Sequence, residues 1–405
     1  MAALTSMPTV FKDDLFEAQW LRAVGHSIYG GAEIGECLAV ARKIVELDAE
    51  SWFAAWHTMA ERIWTEAEQS RVAGHMISAK CAYLRASNYF RAAYTFMLQA
   101  PVDPRLREAY RRQRMAFQAA MDLIAPRVER LAIPYEGTTL PGYFFHAGED
   151  GRRRPTVIIN GGYDSSAEEC YFFSAAAAVM RGYNAVTFDG PGQGGTIIEQ
   201  GTVFRPDWEA VVRKVVDRIE TMPVVDPAKI ALLGISFGGY LAPRAASGEP
   251  RIAALIADPG ELSLFEEMKS RMPGFAVRAL KNDKGFVLGL IKQSLKKRLH
   301  HLTGGWGLRR GLFVHGVADP LAYLRLTEHY TVEGRVAQIK CPALICSAEN
   351  DEIGVTAPRL FDALTGKKTF IAFKADEGAG AHCESGARSL FNQRAFDWLD
   401  EVFSH

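Results

Sequence analysis

A mostly parallel α/β sheet with helices on both faces, preceded by an all-helical region and interrupted once by a helical insertion, is the fold class this sequence predicts. Three observations carry it. From about Arg127 onward, short β-rich runs alternate with helical stretches, the pattern of a parallel sheet joined by crossover helices. One of these runs, Lys229-Ile-Ala-Leu-Leu233, passes directly into Gly234-Ile-Ser236-Phe-Gly238 and then a helix. Up to about Ile124, by contrast, apolar positions recur at helical spacing throughout.

The helical region divides into stretches over 33–47, 51–71, 78–97 and 105–124, each with charge between its apolar positions. Gly30-Gly31, Ala73-Gly74 and Pro101-Val-Asp-Pro104 punctuate them. The aromatics between Trp52 and Phe96 read as the core between antiparallel helices, with the lining of a substrate pocket as the alternative. Next, 128–134 and 142–146 read as a hairpin. Strands follow over 156–159, 185–188, 230–233, 253–256, 343–346 and 369–373, and a helix runs to about Phe403. The alternation stops between Gly260 and Ile339. That insertion reads as helical, with a glycine break at 304–307. Its basic run, 292–299, is most simply a solvated face, with attraction of an anionic substrate as the alternative. The expected division is therefore a helical domain over 1–125, a catalytic domain over 126–260 and 340–405, and a cap over 261–339.

Composition narrows the function. The chain has 405 residues, 48% of them hydrophobic, with 47 basic against 47 acidic side chains. Zero formal charge gives no support for a nucleic-acid or membrane-surface partner, both of which call for a basic excess. The first twenty residues lack a basic leader and a long apolar core, and no stretch nears the roughly 18 apolar residues of a membrane span. Six cysteines lie without metal-ligand spacing. The expectation is a cytoplasmic protein with reduced thiols, no metal or organic cofactor, and a small-molecule substrate.

Gly234-Ile-Ser236-Phe-Gly238 between a buried strand and a helix describes a nucleophile elbow, with Ser236 as nucleophile. A serine hydroxyl needs a base within reach and a third group to orient that base. His382, in the glycine-rich loop Glu377-Gly-Ala-Gly-Ala-His382 beyond the last strand, is placed to be the base. Asp351, in the loop after strand 343–346, is placed to orient it, with Glu349 and Asp258 as competitors. Of the other histidines, His57 or His301 could line the pocket. The developing oxyanion needs backbone donors. The amide of Phe237 is one; Gly162 or Tyr163, in Asn160-Gly-Gly-Tyr-Asp164 after strand 156–159, would give the other. Phe188-Asp-Gly-Pro-Gly-Gln-Gly194 lacks the Gly-Lys-Ser/Thr of a phosphate loop and is read as a tight turn that does not lead straight into a helix.

These motifs, together with Arg181-Gly-Tyr-Asn184, Phe204-Arg-Pro-Asp-Trp-Glu209 and Gly234-Ile-Ser-Phe-Gly-Gly-Tyr-Leu-Ala-Pro-Arg-Ala245, resemble the α/β-hydrolases related to 2,6-dihydroxypseudooxynicotine hydrolase and the fungal polyketide-shortening hydrolases. The resemblance implies an α/β-hydrolase fold, an N-terminal helical domain packed over the active site, a homodimer, and Ser236, Asp351 and His382 as the triad. It also implies an acid early in the cap, for which Glu266 and Glu267 are the candidates. The implied activity is cleavage of a C–C bond next to a carbonyl in a β-diketone, acyl-aromatic or polyketide-like molecule. A carboxylesterase or thioesterase, and an acyltransferase or cyclase using the same acyl-enzyme, are the alternatives. A non-catalytic binding protein is disfavoured, because it has no physical need of a serine, an acid, a histidine and an oxyanion loop together.

Overall fold

The computed structural model describes residues 9–282 and 285–404. Residues 1–8, on which part of the leader reading rests, lie outside the described residues. The chain opens with α1 (Asp14–Gly25), α2 (Ile34–Ala41), α3 (Ala49–Val72), α4 (Met76–Ala93) and α5 (Pro104–Met121). Their starts have chemical reasons. Asp13 accepts hydrogen bonds from the amides of Leu15 and Phe16, Asp48 from that of Glu50, and Asp103 from that of Arg105. Pro104 opens α5, where a missing amide costs nothing. Two helices close earlier than their periodicity suggested: α2 at Ala41, with Leu47 in the left-handed region at φ 66°, and α4 at Ala93. Phe16 stacks on Phe96 at 4.7 Å and meets Trp52 edge-on at 5.1 Å. Trp52, Trp56, Tyr83, Tyr89 and Phe90 are buried, so these rings form core.

Eight strands follow: β1 (Val128–Tyr135), β2 (Thr138–Phe145), β3 (Arg154–Asn160), β4 (Asn184–Phe188), β5 (Val225–Ile235), β6 (Ala254–Asp258), β7 (Ala343–Ala348) and β8 (Lys368–Phe373). They form one sheet in the order β1-β2-β4-β3-β5-β6-β7-β8. β1 and β2 are an antiparallel hairpin and β2 is antiparallel to β4; every other neighbour pair is parallel. β3 lies between β4 and β5, so the strand order reverses there, and a crevice opens beyond the C-terminal strand ends. Register sharpens this. Asn160 is level with Gly234, and Ile235 with Asp258, so the loop after β3 and the turn after β5 leave the sheet side by side.

Between β6 and β7 lie the insertion helices, the longest being Gly285–Arg298 and Leu302–Val314. The glycines at 304–307 sit inside the second helix and do not break it. Trp306 anchors that turn, its indole donating to the Thr95 carbonyl at 3.0 Å while Arg310 lies 3.9 Å over its ring. The insertion hangs from a narrow stalk. The amide of Leu264 donates to Tyr330 O at 2.9 Å and that of Val332 to Leu262 O at 3.0 Å, around a Ser263–Thr331 bridge. The turn 188–194 does lead into a helix, the short Gly194–Ile198. Its Asp189 accepts from the amides of Ala167 and Gly195, both at 2.7 Å, a bracing role. Among the described residues no helix is long and apolar enough to cross a membrane.

Candidate active site

Ser236 stands at the end of β5 with φ 59°, a left-handed conformation that costs a non-glycine residue roughly 1–3 kcal/mol. Glycines on either side make the turn possible. A Cβ on Gly234 would fall 1.9 Å from Gly238 O, and one on Gly238 would fall 2.4 Å from Asn160 O. The Ser236 amide donates to Asp258 O at 2.7 Å, and the helix Gly238–Ala246 follows at once.

Ser236 Oγ lies 2.9 Å from His382 Nε2, and His382 Nδ1 lies 2.7 Å from Asp351 Oδ2. The two competing acids are committed elsewhere. Asp258 Oδ2 accepts from the buried Arg388 guanidinium at 2.9 Å, and Glu349 accepts from the amide of Ala375 at 2.9 Å. Arg388 also binds Cys383 O at 2.9 Å and Glu384 at 3.2 Å, which pins the loop just past His382.

Over the serine passes the loop after β3. A Cβ on Gly162 would lie 2.9 Å from Ser236 Oγ and 3.0 Å from the Phe237 amide, so only glycine fits there. Gly162 was one of two candidates for the second oxyanion donor, and the structure removes it, because its amide donates to Ser165 Oγ at 3.0 Å. The amides of Tyr163 and Phe237 have no acceptor among the described residues. Gln193, which the sequence reading passed over, donates through Nε2 to Gly161 O at 2.6 Å and Gly162 O at 3.0 Å, fixing the two carbonyls of the loop.

A cavity of about 1100 Å³ opens here, lined by Ser236, Phe237, Tyr163 and insertion residues. No residue of 1–125 is among its lining; that region meets the insertion through Thr95, whose carbonyl accepts from Trp306. His57 stacks on Phe53 at 5.1 Å and His301 precedes the helix Leu302–Val314; neither lines the cavity. Glu266 faces Lys269 at 2.7 Å and Arg359 at 3.3 Å, away from it. Glu267 does line it, yet accepts from the amides of Gly354, Val355 and Thr356 and from the Thr356 hydroxyl, which makes it a brace for the loop carrying Asp351. Beside the exposed Glu352, the cavity holds a buried acid that no motif singled out, Glu261. It is 1% exposed, lines the cavity, and its Oε1 has no partner among the described residues. Burial, then the carboxylates of Glu267 and Asp351, push its pKa well above the usual range, which favours the protonated form.

Tyr163 stacks on Phe237 with centroids 4.4 Å apart and planes 3° from parallel. Its hydroxyl meets His315 Nε2 at 2.9 Å; His315 Nδ1 meets Tyr330 OH at 3.0 Å, and that hydroxyl donates to Phe204 O at 2.9 Å. The last bond fixes the rest. Nδ1 must carry the imidazole proton, so Nε2 accepts from Tyr163. Burial pushes the His315 pKa down to about 3, which keeps the ring neutral. Beside Tyr163, Asp164 Oδ2 is met by Arg310 at 2.7 Å, Arg22 at 3.1 Å and Arg91 at 3.6 Å. Burial alone would raise the Asp164 pKa, but these guanidiniums hold it well below the carboxylate range. Among the described residues no group of three or more His, Cys, Asp or Glu is arranged to hold a metal ion.

Comparison with known proteins agrees with the fold. The family described as "Alpha/beta hydrolase family" matches residues 156–388. A protein named Hydrolase LUC6, from a Fusarium species, is 35% identical over 98% of both chains. One named 20-hydroxy-prefusarin hydrolase FUS2, from Gibberella moniliformis, is 35% identical over 98% of this chain and 99% of its own. The crystal structure of 2,6-dihydroxy-pseudo-oxynicotine hydrolase superposes with a TM-score of 0.74 at 24% identity, over 94% of this chain and 95% of that one.

Proposed function

This chain belongs to the alpha/beta hydrolase family, and from that premise we propose that it is a serine hydrolase cleaving a C–C bond next to a carbonyl in a β-diketone or polyketide-like small molecule. Ser236 attacks the carbonyl while His382, oriented by Asp351, takes the hydroxyl proton. The Phe237 and Tyr163 amides hold the oxyanion. Collapse of the tetrahedral adduct breaks the C–C bond, and the carbon leaves as an enolate. Glu261 gives that enolate its proton and takes back the one held by His382, so that His382 is again a neutral base and Glu261 again a protonated acid. Water, deprotonated by His382, then hydrolyses the acyl-enzyme, so the products are a carboxylic acid and a ketone.

The observation that carries this reading is Glu261, a buried carboxyl group whose Oε1 has no partner among the described residues, in the same cavity as the hydrogen-bonded Ser236 and His382. An ester expels an alkoxide that His382 alone can protonate; a carbon leaving group gains from a second acid. Support also comes from FUS2, whose name makes it a hydrolase of 20-hydroxy-prefusarin. The test is turnover by the purified protein, beside Ser236→Ala, of p-nitrophenyl butyrate and benzoylacetone, with products identified by mass spectrometry. Serine-dependent cleavage of the diketone well above the ester is expected. Brisk ester turnover with the diketone intact would replace the reading with a carboxylesterase.

A further inference from the structure

Arg310 is on the wall of the catalytic cavity, and only part of its guanidinium is used. Nη1 donates to Asp164 at 2.7 Å. Nε and Nη2, the two donors of its side-on fork, meet no acceptor among the described residues, and Nε is buried. Arg22 shows what this fork is for. With the same two nitrogens it grips both oxygens of Glu169, at 2.9 and 2.6 Å. The Arg310 plane is held by stacking on Trp306 at 3.9 Å. Charge is also in surplus, since Arg22, Arg91 and Arg310 share the carboxylates of Asp164 and Glu169. The other cavity arginines, Arg271 and Arg298, already donate to the carbonyls of Glu352 and Gly304. Tyr163 links Arg310 to the neighbourhood of the nucleophile, its ring centre 5.6 Å from Arg310 Cζ and its ring stacked on Phe237, the residue after Ser236.

We propose that Arg310 recognises a planar two-oxygen anion on the substrate, a carboxylate or the enolate of a β-dicarbonyl, and seats it one aromatic ring away from Ser236. The proposal rests on the reading of this cavity as the substrate site, and it deepens that reading to an anionic substrate. A fork-to-oxyanion pair is stronger than a neutral hydrogen bond and sets orientation as well as affinity. Arg310 is then a specificity residue, distinct from the groups that do the chemistry.

The test measures binding to Ser236→Ala by calorimetry, so it needs no turnover. The probes are γ-benzoylbutyrate, its methyl ester, and benzoylacetone across pH. The acid is expected to bind about tenfold or more tighter than its ester. The preference should vanish in Ser236→Ala/Arg310→Met while ester binding is kept. Arg310→Lys, which keeps the charge and loses the fork, should retain only part of it, and it stands in if the Met variant does not fold. Benzoylacetone binding that tightens with rising pH only when Arg310 is present supports the proposal with the enolate as the anion. Equal binding of acid and ester together with no pH effect, a preference that survives loss of Arg310, or no binding of either anion at millimolar concentration overturns it. Fluorophosphonate labelling of Ser236 in the otherwise unaltered protein, measured alongside, reports separately on the nucleophile.

Discussion

The hydroxyl of Tyr163 donates to Nε2 of His315 across 2.9 Å, so the insertion itself fixes the loop that carries one of the proposed oxyanion amides. Replacing His315 with Phe leaves that hydroxyl only the longer contact to Tyr323 OH at 3.4 Å, at a cost of about 1 kcal/mol in stability. Loosening the donor should lower kcat by about tenfold to a hundredfold. The effect on pH is signed. The folded imidazole titrates at about 3 and an unfolded one near 6.5, so between these values the unfolded chain holds the extra proton. Stability therefore falls as pH drops below about 6.5, by up to about 1.4 kcal/mol per unit from this group. Urea melts at pH 7.5 and 5 should show a shallower loss in His315→Phe; equal losses would refute the assignment.

Ser236→Gly should be more stable than Ser236→Ala by about 1 kcal/mol, because alanine keeps the left-handed strain at φ 59° and glycine does not. Both should lose about four orders of magnitude in turnover or more. Thermal melts of the two variants side by side make the comparison; an alanine variant as stable as the glycine one would mean the turn is unstrained.

Gly162→Ala should slow fluorophosphonate labelling of Ser236 by about a hundredfold or more. The added methyl would lie 2.7 Å from Ser236 Cβ and 2.9 Å from its Oγ. Labelling at the original rate would show that the loop after β3 moves freely over the serine.

Glu261→Gln separates the two bond types. Loss of a general acid typically costs about two to four orders of magnitude, and here it should fall on diketone cleavage while ester turnover stays within a few-fold. A parallel loss on both substrates would make Glu261 a structural residue.

The strands of the parallel sheet were legible because they are buried on both faces, so β3, β4 and β6 read as short apolar runs. Ser236, Asp351 and His382 stood out because each follows a strand, and the structure brings them within hydrogen-bond distance. What escaped depends on contacts between distant segments. Tyr163 and His315 are 152 residues apart, and no local pattern marks either as the other's partner. Glu261 differs from Glu267 only in what surrounds it, three amides at one and none at the other's Oε1. Gly162 was a legible error. Ser165, three residues on, offers a side-chain acceptor to its amide in a local turn, a competition visible in the sequence. The glycines at 304–307 failed differently, since the packing of Trp306 overrode their weak helix propensity.

The stalk at Leu262–Leu264 and Tyr330–Val332 brings the two ends of the insertion together before any of its helices begins. A segment with adjoining ends can be shortened, lengthened or exchanged at small entropic cost to its host. The roof of this cavity can therefore be altered while the sheet and its serine stay in place. The freedom is bounded by bonds that any substitute roof must reproduce or replace, among them those of Trp306 to Thr95, Arg310 to Asp164, His315 to Tyr163 and Glu267 to the amides of 354–356.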